Sequence, residues 1–168
     1  MELILMRHGL AEDREEFAKK NLEDSARPLT MKGRKRTQKV AIQLRDWMED
    51  MDLIVTSPFV RARQTADLVS QIFIDTPVVE AAELVPTSLP QSFKRWLRSH
   101  GEDHKRIMAV GHEPHLSALA SFLMANQLEP LLEIKKSGVL CLNIESFKEI
   151  APGSAKLLWL VQPRQMVD

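Results

Sequence analysis

Four short runs of consecutive apolar residues, each followed by a stretch of different character, constrain this chain more than any other feature. Residues 3–6, 53–55, 78–79 and 107–110 are apolar without alternation and too short for helices. The first, second and fourth read as strands buried on both faces, and Val78 and Val79 suggest a third, short strand. Helical patterns fall between them. Thr30 is placed to cap a helix running to about Met48, with an inward stripe of Thr37, Val40, Ala41, Leu44, Trp47 and Met48. Ser57 can cap a second helix with Pro58 at its first position, burying Ala62, Thr65, Ala66, Val69 and Phe73. Phe93, Trp96 and Leu97 mark a third helix, and Leu116, Leu119, Ala120 and Leu123 a fourth. Residues 139–144 and 157–161 read as two closing strands, with Pro152 and Gly153 in the turn between them.

Strand and helix in succession predict an α/β fold, a three-layer sandwich around a mostly parallel central sheet. The short connection between the closing strands makes part of that sheet antiparallel. A length of 168 residues fits a single domain spanning 1–168. With 44% hydrophobic and 27% charged residues, the chain has matter for a core and is not a disordered polymer. Its 23 basic and 23 acidic residues balance, so no basic stripe for nucleic acid is expected. The lone Cys141 excludes an intrachain disulfide and a cysteine-based zinc site, and its apolar neighbours suggest a buried strand position. No run approaches the ~18 apolar residues of a membrane span, and no secretory signal precedes Arg7 and His8. A cytoplasmic monomer is the expectation. The charged stretch 12–24 reads as a surface excursion, partly helical, of solvated mixed charge.

Ligands of open α/β sheets sit beyond the carboxyl ends of the strands. Three such ends carry unusual polar residues here: Arg7, His8 and Gly9; Ser57, Pro58 and then Arg61; Gly111 and His112. Helix starts at Pro58 and near Glu113 would add free backbone N–H groups. Two arginines and two histidines on one rim suit a phosphoryl dianion. A metal is not expected. His112 and His115 are three apart with a proline between them, which does not fit a zinc-binding helix, and His100 and His104 lie in a polar connection.

These residues resemble a known family. Arg7-His8-Gly9, Arg27-Pro28-Leu29-Thr30 leading to Gly33, Ser57-Pro58 with Arg61-Ala62 and Gln64-Thr65-Ala66, and Val110-Gly111-His112 resemble, in order and spacing over roughly residues 1–125, the phosphoglycerate mutase-like histidine phosphatase superfamily. The short length and the Arg-Pro-Leu-Thr segment look most like its SixA-type phosphohistidine phosphatases. Leu10 and Ala11 stand where the mutase branch carries Glu and Ser or Thr, which counts against a sugar-phosphate mutase.

The resemblance implies a phosphoglycerate mutase-like fold and a phosphatase working through phosphorylated His8. Arg7, Arg61 and His112 would bind the phosphoryl oxygens. Glu83, on the loop after the third strand, is the candidate proton donor. Neither cofactor nor metal is implied. The implied partner is a phosphorylated histidine-containing phosphotransfer protein or another phosphoprotein. A small-molecule phosphomonoesterase and a silent phospho-ligand binder are the alternatives, and an intact His8 speaks against the second.

Overall fold

In the computed structural model, which describes residues 1–48 and 50–167, strands and helices alternate as the apolar pattern dictates. The order is β1 (Glu2–Arg7), α1 (Arg14–Ala18), α2 (Met31–Trp47), β2 (Leu53–Thr56), α3 (Val60–Ser70) and β3 (Val78–Glu80). Then follow α4 (Pro90–His100), β4 (Arg106–Gly111), α5 (His115–Ala125), β5 (Val139–Asn143), β6 (Lys156–Val161) and α6 (Pro163–Met166). The six strands form one sheet in the order β3-β2-β4-β1-β5-β6. Pairs β2–β3, β2–β4 and β1–β4 are parallel, whereas β5 is antiparallel to both β1 and β6.

Both faces of the sheet are covered, so alternate residues of one strand serve different cores. Leu3, Leu5, Ile107 and Ala109 pack with Phe93, Leu97, Leu116 and Leu119 under α4 and α5. Ile4, Met6, Met108 and Val110 pack with Val40, Leu44, Ala62 and Val69 under α2 and α3. Residues 3–6 are all fully buried, and each large apolar side chain so placed contributes roughly 1.5–3 kcal/mol. Cys141 lies in β5, inside the sheet, and burial pushes its thiol up to about 12. The turn before β6 uses Gly153 at a φ of 77°, where a side chain would be strained.

Three expectations shift. Trp47 is 50% exposed rather than core-facing. As the last helical residue it turns outward and meets Trp159 of β6 edge-on, with ring centroids 6.0 Å apart. The helix after β2 begins at Val60, two residues later than Ser57 and Pro58 suggest. The Ser57 hydroxyl accepts the Phe59 N–H at 3.3 Å and is also bonded to a histidine of the neighbouring strand end, so residues 57–59 turn before the helix starts. Finally, stretch 12–24 is not merely solvated. Asp13 caps α1, Phe17 is buried, and Asp24 reaches back to the sheet rim.

Candidate active site

Register explains why three distant segments meet. In the parallel ladder Arg7 lies opposite Gly111, and Thr56 opposite Val110. The chains leaving β1, β2 and β4 are therefore level. The His8 N–H donates to the Gly111 carbonyl at 3.0 Å and the Ser57 N–H to that of Val110 at 3.0 Å. One step past the sheet, His8, Ser57 and His112 are neighbours by construction.

His8 is 6% exposed, and its orientation is fixed at both ring nitrogens. Nδ1 lies 2.7 Å from the Gly9 carbonyl, which can only accept, so Nδ1 carries the proton. Nε2 keeps its lone pair, which accepts a hydrogen bond from Arg61 Nε–H at 3.3 Å. Burial, and after it the nearby Arg61 and Arg7 charges, holds His8 down to about 3 despite the Gly9 carbonyl. The imidazole is neutral across the physiological range. A neutral imidazole with an oriented lone pair is a competent nucleophile.

Arg61 projects from the first turn of α3 and is 2% exposed. Its Nη1 donates to the Asp24 carbonyl at 2.8 Å and its Nη2 to the Asp24 carboxylate at 3.0 Å. The Asp24 carboxylate also accepts from Arg27 Nε at 2.9 Å. Arg7, closing β1, spends Nη1 on the Ile134 carbonyl at 2.9 Å, while its buried Nε has no partner among the described residues. His112 is 2% exposed; its Nε2 is 2.8 Å from Ser57 Oγ and its buried Nδ1 has no partner. Burial, followed by the neighbouring His8 and Arg61, pushes His112 down to about 2. The two imidazole rings stand 5.1 Å apart.

The remaining motif residues build the support. Thr65 Oγ1 accepts the Gly9 N–H at 3.0 Å and donates to the Arg61 carbonyl at 2.8 Å, tying β1 to α3. Gln64 Oε1 accepts the Leu29 N–H at 2.8 Å. Thr30 caps α2 by accepting the Gly33 N–H at 2.9 Å and donates to the Leu10 carbonyl. Gly33 is needed because the loop after His8 crosses it closely: a Cβ there would lie 2.1 Å from Leu10 O.

Arg7, His8, Arg61 and His112 line one cavity of about 510 Å³, together with Arg27, Glu113, Lys136 and others. Glu83 does not join them. The turn Ala82–Leu84 buries Leu84 in the core and leaves Glu83 in a separate depression beside Ser92, Arg95 and His100, whereas Pro86 of the same loop reaches the His8 cavity. Sequence reading missed three residues. Asp24 was hidden in a charged stretch, Lys136 in a connection, and Glu113 stood only as a helix start. Burial raises the Glu113 carboxyl above its ordinary value, although Ser117 Oγ and the Ile134 N–H both donate to its Oε1.

This geometry has counterparts. Residues 3–89 match the model of the histidine phosphatase superfamily (branch 1). An uncharacterized protein of Picosynechococcus sp. (strain PCC 7002) is 33% identical over 168 residues, covering 99% of each chain. The chain belongs to the histidine phosphatase superfamily, branch 1. Among solved structures, the protein histidine phosphatase SixA complexed with tungstate superposes with a TM-score of 0.81 at 23% identity, over 98% of each chain. The alpha-ribazole phosphatase of Shigella flexneri does so with a TM-score of 0.72 at 20% identity, over 97% of each. At such identities the likeness shows the phosphoglycerate mutase-like fold.

Proposed function

We propose that this phosphatase removes the phosphoryl group from a phosphohistidine side chain of another protein, through a phosphoenzyme at His8. The observation that carries the reading is the company of the His8 lone pair. Two buried nitrogens, Arg7 Nε and His112 Nδ1, have no hydrogen-bond partner among the described residues. An unpaired buried donor costs ~1–3 kcal/mol and persists where function uses it. Phosphoryl oxygens would accept from Arg7 Nε, and from His112 Nδ1 in the tautomer in which Ser57 Oγ donates to Nε2, while Nε2 of His8 faces the phosphorus.

In the first step the Nε2 lone pair forms the new P–N bond as the substrate P–N bond breaks. The departing imidazole takes one proton from solvent and leaves neutral. In the second step water attacks phosphorus, the P–Nε2 bond breaks, and dihydrogen phosphate departs and returns that proton on ionising. The Gly9 carbonyl holds Nδ1–H throughout, so His8 ends in its starting tautomer. Arg7, Arg61 and His112 offset the phosphoryl charge that would repel the nucleophile, which is most of what phosphoryl transfer requires.

The choice of leaving group rests on Glu83. An alkoxide needs a proton in the transition state, and Glu83 faces another depression. An imidazole is a far better leaving group near neutral pH. The likeness to SixA supports the same reading. The alpha-ribazole phosphatase likeness and the raised Glu113 carboxyl in the cavity favour a second reading, a small-molecule phosphomonoesterase. Hydrolysis of a phosphohistidine protein and of an aryl phosphate ester should be compared at equal enzyme. Preference for the ester in kcat/KM would overturn the first reading.

A further inference from the structure

A second cavity, of about 600 Å³, opens beside the first and shares Arg7 and Lys136 with it. Arg36 of α2, Lys135 and Arg164 of α6 complete its charge, and among the described residues no carboxylate lines it. In a chain of net charge zero, five cations on one cleft are an uneven distribution. One of them is answered locally: Lys135 Nζ donates to Glu133 Oε2 at 2.7 Å. The others are not. Partial burial first, and then the Arg7 and Arg27 charges, pull the Lys136 ammonium below its ordinary value, against the Asp13 carboxylate.

The floor of this cleft is preformed. Gln162 accepts the Lys135 N–H at 2.9 Å and donates to the Glu133 carbonyl at 2.8 Å. The Ser137 N–H donates to the Arg7 carbonyl at 3.1 Å and the Gly138 N–H to that of Lys135. The backbone that carries the cations is therefore pinned, on a loop and two helices, and docking has only their side chains to order.

We propose that this cleft docks an acidic segment of the substrate protein, flanking the phosphohistidine that enters the His8 cavity. The inference rests on the phosphohistidine reading and adds the partner's chemistry to it. Because Arg7 and Lys136 border both cavities, a chain with its phosphoryl group at His8 continues into the basic cleft without leaving the surface. Guanidinium groups at Arg36 and Arg164 suit several spaced carboxylates, which they bind through two parallel N–H donors. Complementary charge of this kind raises the rate of encounter and excludes neutral competitors.

The test uses two synthetic phosphohistidine peptides, one with glutamates beside the histidine and one with alanines, together with N-phosphoimidazole. Wild type should favour the acidic peptide roughly tenfold or more in kcat/KM, and a rise in salt should erase most of the preference. Arg36→Gln with Arg164→Gln should remove it, leaving N-phosphoimidazole hydrolysis within about twofold, as expected for charges off the reacting atoms. Equal kcat/KM for the two peptides in wild type overturns the docking inference while the phosphohistidine reading stands. If neither peptide is hydrolysed but an aryl ester is, the phosphohistidine reading fails. Fluorescence anisotropy with the unphosphorylated acidic peptide then decides the cleft: binding lost in the double variant supports it, and no binding sinks it. Tighter binding of an oligonucleotide of equal charge would assign the cleft to nucleic acid and overturn the protein partner.

Discussion

Asp24 occupies the far end of the Arg61 guanidinium: its carbonyl and carboxylate accept from Nη1 and Nη2 at 2.8 and 3.0 Å, while Nε donates to His8 Nε2 at 3.3 Å. The arginine can therefore present only its side edge to a phosphoryl group. A residue 37 positions away in sequence sets which edge that is. Asp24 acts through Arg61 and is a positioning residue. Asp24→Ala should lower kcat/KM by roughly ten- to a hundredfold, the worth of a charge-assisted hydrogen bond. Asp24→Asn, which keeps an acceptor, should lose less. Activity within twofold of wild type for Asp24→Ala would show that Arg61 is held by other means.

A phosphoenzyme at His8 makes a chemical prediction. Quenching with alkali after mixing with labelled substrate should trap a phosphoryl group that survives base and is lost in acid, as a phosphoramidate is. Peptide mapping should find it on His8, and His8→Ala should neither trap label nor turn over. Turnover by His8→Ala at more than a small fraction of the wild-type rate would rule out the covalent route.

Two carboxylates, Glu83 outside the His8 cavity and Glu113 in it, separate the substrate readings. Glu83→Gln should change kcat/KM by less than about twofold on either substrate, since general acid catalysis needs contact or one bridging water. Glu113→Gln is the informative variant. If an ester is the true substrate and Glu113 its acid, the loss should reach ~10²–10⁴-fold on alkyl phosphates. With a phosphohistidine substrate the same change should cost far less. Matching the Glu113→Gln pH profile to wild type distinguishes a lost acid from a displaced Ile134 loop.

Three buried histidines tie stability to pH. Burial leads the causes that hold His8 down to about 3, His112 to about 2 and His115 to about 4. In the unfolded chain each titrates at ~6.5. Between those values the unfolded state binds protons that the folded state refuses. Stability is thus complete above about pH 6.5 and declines as pH falls, by up to about 1.4 kcal/mol per pH unit for each histidine. Urea unfolding from about pH 7.5 to about pH 4.5 should show this decline, and His115→Leu should make it shallower. An unchanged midpoint across that window would mean the three imidazoles are hydrated in the native state.

Much of this was readable because the sheet is covered on both faces. Continuous apolar runs mark β1, β2 and β4, and the polar residues that end them had to lie on one rim once those strands paired in parallel. Thr30 announced α2 through its capping position. What stayed hidden depended on contacts far apart in sequence. Asp24 sits among other acids of similar spacing, and only the folded chain shows which of them turns inward to Arg61. Glu83 and Pro86 are three residues apart on one loop, and the burial of Leu84 decides which reaches the cavity. No periodicity encodes that choice.

Cys141 gives the molecule an internal clock for its own opening. The only thiol in the chain lies fully buried on a strand paired on both edges, with ionisation pushed up to about 12. The thiolate is the reactive form, so alkylating reagents have nothing to attack while β5 stays seated between β1 and β6. Labelling of the native protein must then wait for β5 to part from β1 or from the edge strand β6. Its rate, followed by mass in any of the variants above, reads the free energy of that separation without a denaturant. A substitution that harms activity but leaves the labelling rate unchanged has acted at the rim of the sheet and not on the fold beneath it.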